Sequence, residues 1–371
     1  MPPLPSIRLT GATILREGEL RQRSVAISRG RITKGPLPAV DLTGYLVLPG
    51  IVDMYFKPST EPETSARIAR AGARAAAAGI TTAWVAPLWS WDNSHDDPSQ
   101  AEALLTALPR TPAAADLRPA LRIETFRTDC TDRLIALTQA HLPQVTYLGS
   151  DLDRLLELQK RDPDALETEA AGVGMSARGL ARAIALADAR RRELPRHLCR
   201  LAETFDDLGL QYGSLADTGG EQREAYSMIG ARIAACPQTH SAGAVACAIG
   251  EPVLLSAAQA PLSRNFLRAG IGDVLVSAGA PEALVPLALS LAGPDLAGLP
   301  RIWAMLSEEP AEIMRLADRG TLDYGRRADM VIIRRDTGQI EATICAGQLT
   351  YLAGEARTRF RAMMTNGIAA E

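Results

Sequence analysis

Lysine is almost missing from this chain. Only Lys34, Lys57 and Lys160 accompany the arginines among 40 basic residues in 371, a compositional bias with no structural weight of its own. Histidine is equally sparse, with His95, His141, His197 and His240 the whole supply of imidazole for a metal site. The five cysteines are scattered and odd in number, and no CxxC occurs. That excludes a disulfide framework and leaves reduced thiols in a reducing compartment. Long hydrophobic runs are absent too. The apolar stretches near 242–260 and 283–292 are interrupted by Glu251, Pro252, Gly293 and Pro294, too soon to span a bilayer. The opening MPPLPSIRLT shows no basic segment followed by an apolar one, so the expectation is a soluble, cytoplasmic protein. With a net charge of -3, nothing in the balance points to nucleic acid or an anionic membrane as partner.

What is present is enough apolar material for a large core, 47% of the residues. Residues 6–47 and 329–352 alternate short β-like runs with turn residues, Asp336-Thr337-Gly338 marking a hairpin. Two strand-rich ends around a long middle predict one β-domain built from both termini, over 1–48 and 329–354. Between them, apolar runs near 51–56, 81–87, 119–125, 144–149, 209–215, 232–236, 252–257 and 273–277 alternate with helical patterns. Those patterns include 64–78, 99–108, 221–230 and 282–292. Eight such runs predict a closed (β/α)8 barrel over 49–328. An open doubly wound sheet is the runner-up, but no GxGxxG follows the first strand. Residues 150–208, with helical patterns at 152–160 and 176–206, are too long for an ordinary connection and are expected to form a helical insertion on the catalytic face. Residues 355–371 read as a weakly amphipathic or disordered tail.

Three fragments in order carry a family resemblance. Leu48-Pro49-Gly50-Ile51-Val52-Asp53 resembles the first barrel strand of the amidohydrolase superfamily, and Ala77-Ala78-Gly79-Ile80-Thr81-Thr82 resembles the start of its second. Pro310-Ala311, Asp318-Arg319-Gly320, Leu322, Gly325 and Arg327-Ala328-Asp329-Met330-Val331 resemble the return from barrel to β-domain, and Ala346-Gly347 with Leu349 and Tyr351 the closing hairpin. The middle is most similar to the alkylphosphonate-utilisation branch, whose members resemble ribose methylphosphonate triphosphate diphosphatases. Ser214, Asp217, Glu221, Pro237, Thr239, Ala257 and the stretch Asp273 to Ser277 carry that likeness.

The resemblance implies a divalent metal at the C-terminal strand ends, and the chain lacks the ligands it implies. The histidine pair after Asp53 is replaced by Tyr55-Phe56-Lys57. A protonated phenol and an ammonium offer a metal no lone pair of the required kind. The fourth strand, Gln144 to Gly149, holds neither a carboxylate nor a lysine. The fifth-strand histidine falls on Leu215, and the eighth-strand aspartate on Ala278. No cofactor is therefore expected. One rebuilt metal site stands as an alternative, His95 with Asp96 and Asp97 in the second loop, beside the blander reading of a solvated turn.

Ligand-binding candidates at the barrel mouth are Tyr55, Lys57, Asp217 and His240. Lys57 reads as a cation holding a phosphate or carboxylate where metals would sit, as a Schiff-base nucleophile if desolvated, or as the neutraliser of Asp53 or Asp217. Asp217 alternatively caps the next helix. Three functions follow. In the first, the protein is catalytically silent and binds a phosphorylated or phosphonate metabolite or an active, related partner, with Tyr55 and Leu215 filling the mouth. The second is a divergent hydrolase with a rebuilt or metal-free site, and an open pocket holding a perturbed lysine or aspartate. The third is a structural or interaction subunit, homo-oligomeric or paired with a relative, with a closed pocket and an apolar patch on 150–208.

Overall fold

The computed structural model describes residues 4–368 apart from 60, 62, 93 and 96, and the side chains up to 362. The eight apolar runs form eight parallel strands in chain order: Ile51–Phe56, Ile80–Val85, Asp116–Glu124, Val145–Gly149, Gln211–Leu215, Ile233–Ala235, Val253–Ser256 and Val274–Val276. The last strand meets the first at the mouth. There the Ala278 amide donates to the Tyr55 carbonyl at 3.0 Å, and the Ser277 amide donates to the buried Asp53 carboxylate at 3.1 Å. Inward-facing residues such as Val52, Ala120, Val145, Tyr147, Ala235, Leu254 and Val274 fill the barrel interior, so it is a packed core and not a pore.

The chain ends meet in a sandwich of two sheets. A six-stranded sheet places Tyr45–Pro49 between Thr13–Arg16 from the same end and Met330–Arg334 from the other. A four-stranded sheet, including Ile7–Thr10 and Val25–Ser28, faces it across a core of residues such as Leu9, Ile27, Val47 and Ile332. Tyr45 and Val47 point into that core, whereas Leu46 and Leu48 point towards the barrel's outer layer. A strand buried on both faces has no polar alternation, which is why YLVLP and MVII read as unbroken apolar runs. The fold is thus the TIM-type barrel plus β-rich domain that the sequence predicts.

Two expectations need correction. The pattern over 176–206 is not one helix but two, Ala177–Ala189 and Leu194–Asp207. They are parted by a 3-10 turn at Arg191–Glu193, with Pro195 in the first turn of the second. A proline tolerated there lacks an amide that would have no helical partner anyway. The second helix packs on the barrel through Leu201 and Phe205 against Leu121, Leu134 and Leu148. The insertion proper is Leu152–Arg161, Pro163–Gly172 (not anticipated) and Ala177–Ala189, which share a separate core of Leu155, Leu166, Leu180 and Ile184 under Trp91 and Phe126. The C-terminal segment is also more ordered than expected. Ala356–Ile368 is a helix whose Ala356 and Phe360 are fully buried in the sandwich core.

Candidate functional site at the barrel mouth

A cavity of about 940 Å³ opens at the C-terminal ends of the barrel strands. Its floor is Tyr55, Lys57, Arg122, Cys236, Ser256 and Ala278, each at or just beyond a strand end. The insertion side contributes Asp151, Asp153 and Arg154, and the helix Leu194–Asp207 supplies Leu194, Leu198 and Cys199. Three cavity residues, Ala216, Cys236 and Ala278, hold left-handed backbone with φ of 62°, 54° and 50°. None is glycine, so each stores strain at a strand end. Their amides still bond the neighbouring strand, at Ala235, Leu254 and Tyr55.

Tyr55 lies 2% exposed, its ring against Tyr147 at 5.0 Å between centroids. Two cations face that ring, Lys57 at 5.6 Å and Arg122 at 5.8 Å. Arg122 also donates to the Tyr55 hydroxyl at 3.3 Å and to the Ala86 carbonyl at 3.2 Å, both neutral acceptors. Burial pushes the Tyr55 phenol up to about 12, against the pull of Arg122, so the phenol stays protonated.

Glu124 ends the third strand on the cavity wall, 5% exposed. The amides of Phe126 and Asp151 donate to its two carboxylate oxygens at 3.2 and 3.1 Å. Burial pushes its carboxyl up to about 7. Hydrogen bonds from Ser150 and the two amides oppose the rise, and the Asp151 charge adds to it.

The four predicted ligand residues are not gathered together. Tyr55 and Lys57 share the floor, but Asp217 and His240 do not line the cavity. Asp217 is 1% exposed and turned to the Ser214 hydroxyl, and Arg223 lies 3.5 Å from it. Its charge partner is therefore Arg223, and it accepts no amide of the helix that follows. His240 stands exposed at the first position of the helix His240–Ala248. In the second loop, Asp97 caps the helix Pro98–Ala107 by accepting from the amides of Ser99 and Gln100 at 2.7 and 3.1 Å. His95 ties its amide to the Val173 carbonyl, and Asp96 lies outside the described residues. Among the described residues, no group of three His, Cys, Asp or Glu side chains is placed to hold a metal ion.

No family model matches the sequence, and no curated protein does. Solved structures do match in fold. N-acetylglucosamine-6-phosphate deacetylase from Pasteurella multocida superposes with a TM-score of 0.62 at 10% identity, over 93% of this chain and 99% of its own. Dihydropyrimidinase from Brevibacillus agri gives 0.63 at 12% identity, over 94% and 95%. A triazine hydrolase variant gives 0.58 at 14% identity, over 98% and 99%. The chain shares with them a TIM-type barrel joined to a β-rich domain.

The residues present do not fit the divalent ion that this fold implies. An ammonium, a guanidinium and a protonated phenol occupy the C-terminal ends of the first and third strands. The Cys236 thiol, pushed up to about 12 by burial, stays protonated as well. Leu215 and Ala278 have no donor atoms. Such a donor set attracts an anion and repels a dication.

Arg122 and Glu124 escaped the sequence reading because the run 119–125 registered only as apolar. Their spacing was the available signal. Ala120, Arg122 and Glu124 alternate on one face at the C-terminal end of a barrel strand, where this architecture places functional groups.

Proposed function

We propose that this amidohydrolase-fold protein binds a small phosphorylated or phosphonate-type anion at the barrel mouth and does not carry out metal-dependent hydrolysis. The observation that carries the reading is the pair of cations, Lys57 and Arg122, converging on the buried Tyr55 ring where metal ligands would be needed. Arg122 spends its two hydrogen bonds on neutral oxygens, so its charge is available to a ligand. A guanidinium presents paired donors that match phosphate or phosphonate oxygens. The reading combines features of two expectations, since Tyr55 fills the floor while an open cavity remains above it. The third expectation finds less support. Leu186 is the only large apolar side chain strongly exposed among the described residues of 150–208.

The test is calorimetric titration with methyl phosphate and methylphosphonate, on protein whose metal content is measured in the same sample. Binding to wild type, lost about 10- to 100-fold in Arg122→Met, is the expected result. Stoichiometric transition metal in protein purified without metal-affinity steps, with turnover dependent on it, sinks the reading.

One observation favours a second reading, metal-free acid–base chemistry. Glu124, close to 7 in a cavity, is suited to take or give a proton at neutral pH. Turnover of a phosphate-ester panel by wild type, lost in Glu124→Gln, would support that reading over silence.

A further inference from the structure

We infer that the groove between the helix Ala177–Ala189 and the second and third barrel loops docks an acidic, extended protein segment, which seats one apolar side chain between two acids. The groove encloses about 640 Å³ and, among the described residues, shares only Phe126 with the mouth cavity. It is a separate surface and stands without the anion reading above.

Its charge comes from one stretch of the chain. Residues 173–200 carry seven arginines against two acids, in a chain whose net charge is -3. Several arginines of this region are matched: Arg154 by Glu169 at 2.8 Å, Arg191 by Asp153 at 2.7 Å and Arg200 by Asp132 at 2.6 Å. Arg178, Arg182 and Arg190 differ. All three are exposed, and among the described residues none makes an ion pair or a side-chain hydrogen bond. Asp188, the one acid on the helix, is taken by Arg191 at 3.0 Å. The facing wall carries the opposite sign. There Asp92 and Asp129 share the buried Arg127, at 3.2 and 2.9 Å, so two carboxylates meet one guanidinium. The Ser176 hydroxyl is used as a helix cap, accepting from the Gly179 amide at 3.1 Å. The unmatched positive charge of the groove is therefore the arginine row.

The spacing of that row selects the occupant. Arg182, Leu186 and Arg190 line the groove at four-residue steps, with Arg178 one turn before them. Each step advances about 6 Å along a helix. Two residues of extended chain advance about 6.6 Å, and their side chains share a face. Acids two positions either side of an apolar residue thus reach Arg182 and Arg190 while the apolar side chain covers Leu186. Leu186 is 54% exposed and needs such a cover. Trp91, Phe126 and Met175 line the groove beside it, and Ala183 and Ala187 are too short to fill it. A nucleic acid fits less well. Its unbroken run of phosphates would pass the carboxylates of Asp92 and Asp129, 65% and 36% exposed, whereas a peptide keeps its acids on one wall.

The experiment is fluorescence anisotropy with labelled, end-blocked seven-residue peptides of serine, carrying a glutamate two positions either side of a central leucine. One control moves the glutamates to the positions flanking the leucine, and a second replaces the leucine by serine. The central-serine peptide is expected to bind about 10-fold more weakly, for the leucine it no longer buries. The isomer is expected to lose about as much, because its acids point to the other face. Arg182→Glu combined with Arg190→Glu should weaken the leucine peptide about 10- to 100-fold. Leu186→Ser should bring the leucine and serine peptides together, and Arg122→Met should leave all affinities unchanged. The three substituted groove residues are exposed, so the variants keep the fold. Equal affinity for the two isomers, or no binding at protein concentrations up to millimolar, overturns the inference. So does a single-stranded oligonucleotide that displaces the peptide and binds more tightly, which reassigns the row to nucleic acid. A concentration-dependent dimer dissolved by Arg182→Glu overturns it as well, in favour of a second copy of this chain.

Discussion

Glu124 couples the stability of this molecule to pH near neutrality. Its folded value near 7 lies above the ordinary 4.5 because burial disfavours the charged form. A raised folded value means that stability is fully present below about 4.5 and is lost as pH rises through about 7. The loss is on the order of 3 kcal/mol for this one group. His197 works the other way: burial pulls it down to about 4, so its contribution is present above 6.5 and lost as pH falls through about 4. Comparison with Glu124→Gln isolates the glutamate. Urea unfolding from pH 5 to 8 should show the wild type losing stability relative to Glu124→Gln, and parallel curves would refute the assignment. The same ionisation should weaken ligand binding. An alkyl sulfonate, whose own charge is constant over this range, is expected to bind wild type less well above pH 7 and Glu124→Gln equally throughout. Arg223 tests the opposite role. Fully buried between Asp217 and Glu251, it serves packing, and Arg223→Met leaves Asp217 without its guanidinium and Glu251 with only the exposed Arg232. A loss of about 3–5 kcal/mol in unfolding free energy is expected.

At the scale of elements, legibility in the sequence followed the strength of the periodic signal. Each barrel strand appeared as an apolar run because parallel strands buried on both faces lose their polar alternation. The helix Thr64–Ala77 was equally plain, with Ile68, Ala71 and Ala75 on one buried face. The insertion was harder, since its Arg- and Ala-rich helices keep nearly the same pattern across the break at Arg190. The final helix was missed because its anchoring is tertiary: Phe360 and Ala356 mean little until a sandwich core exists to receive them. Asp217 was misplaced for a related reason. Its position in the chain was that of a mouth residue, but the partner that turns it inward, Arg223, lies on the next helix and is invisible to local spacing. Phe360→Ala should cost about 3–5 kcal/mol if the helix is part of the sandwich, read by thermal or urea unfolding. A value near zero would return the segment to the status of a loose tail.

The whole molecule divides its ionic groups between the two ends of the barrel. At the N-terminal end, Asp116 opens the third strand and receives Arg319 at 2.6 Å and Arg327 at 2.8 Å, both from the return segment that joins barrel to sandwich. Arg327 continues to Asp329 at 3.0 Å, so this cluster links the two domains. Burial alone would raise the Asp116 carboxyl, but the hydrogen bonds and charges of Arg319, Arg118 and Arg327 outweigh it and pull it down to about 2. A lowered folded value means that its stability, about 2 kcal/mol, is present above about 3.8 and lost as pH falls through about 2. Glu124 ends the same strand eight residues later, roughly 26 Å away in extended chain. One strand thus carries a stabilising acid at one end and a cavity-lining acid at the other, the division expected of a barrel whose loops do the work. Asp116→Asn should therefore destabilise the fold at pH 7, with the gap narrowing below pH 4, and leave methyl phosphate affinity unchanged well below the unfolding temperature. If folded Asp116→Asn loses the ligand, the two ends are coupled through the strand and the division of labour argued here is wrong.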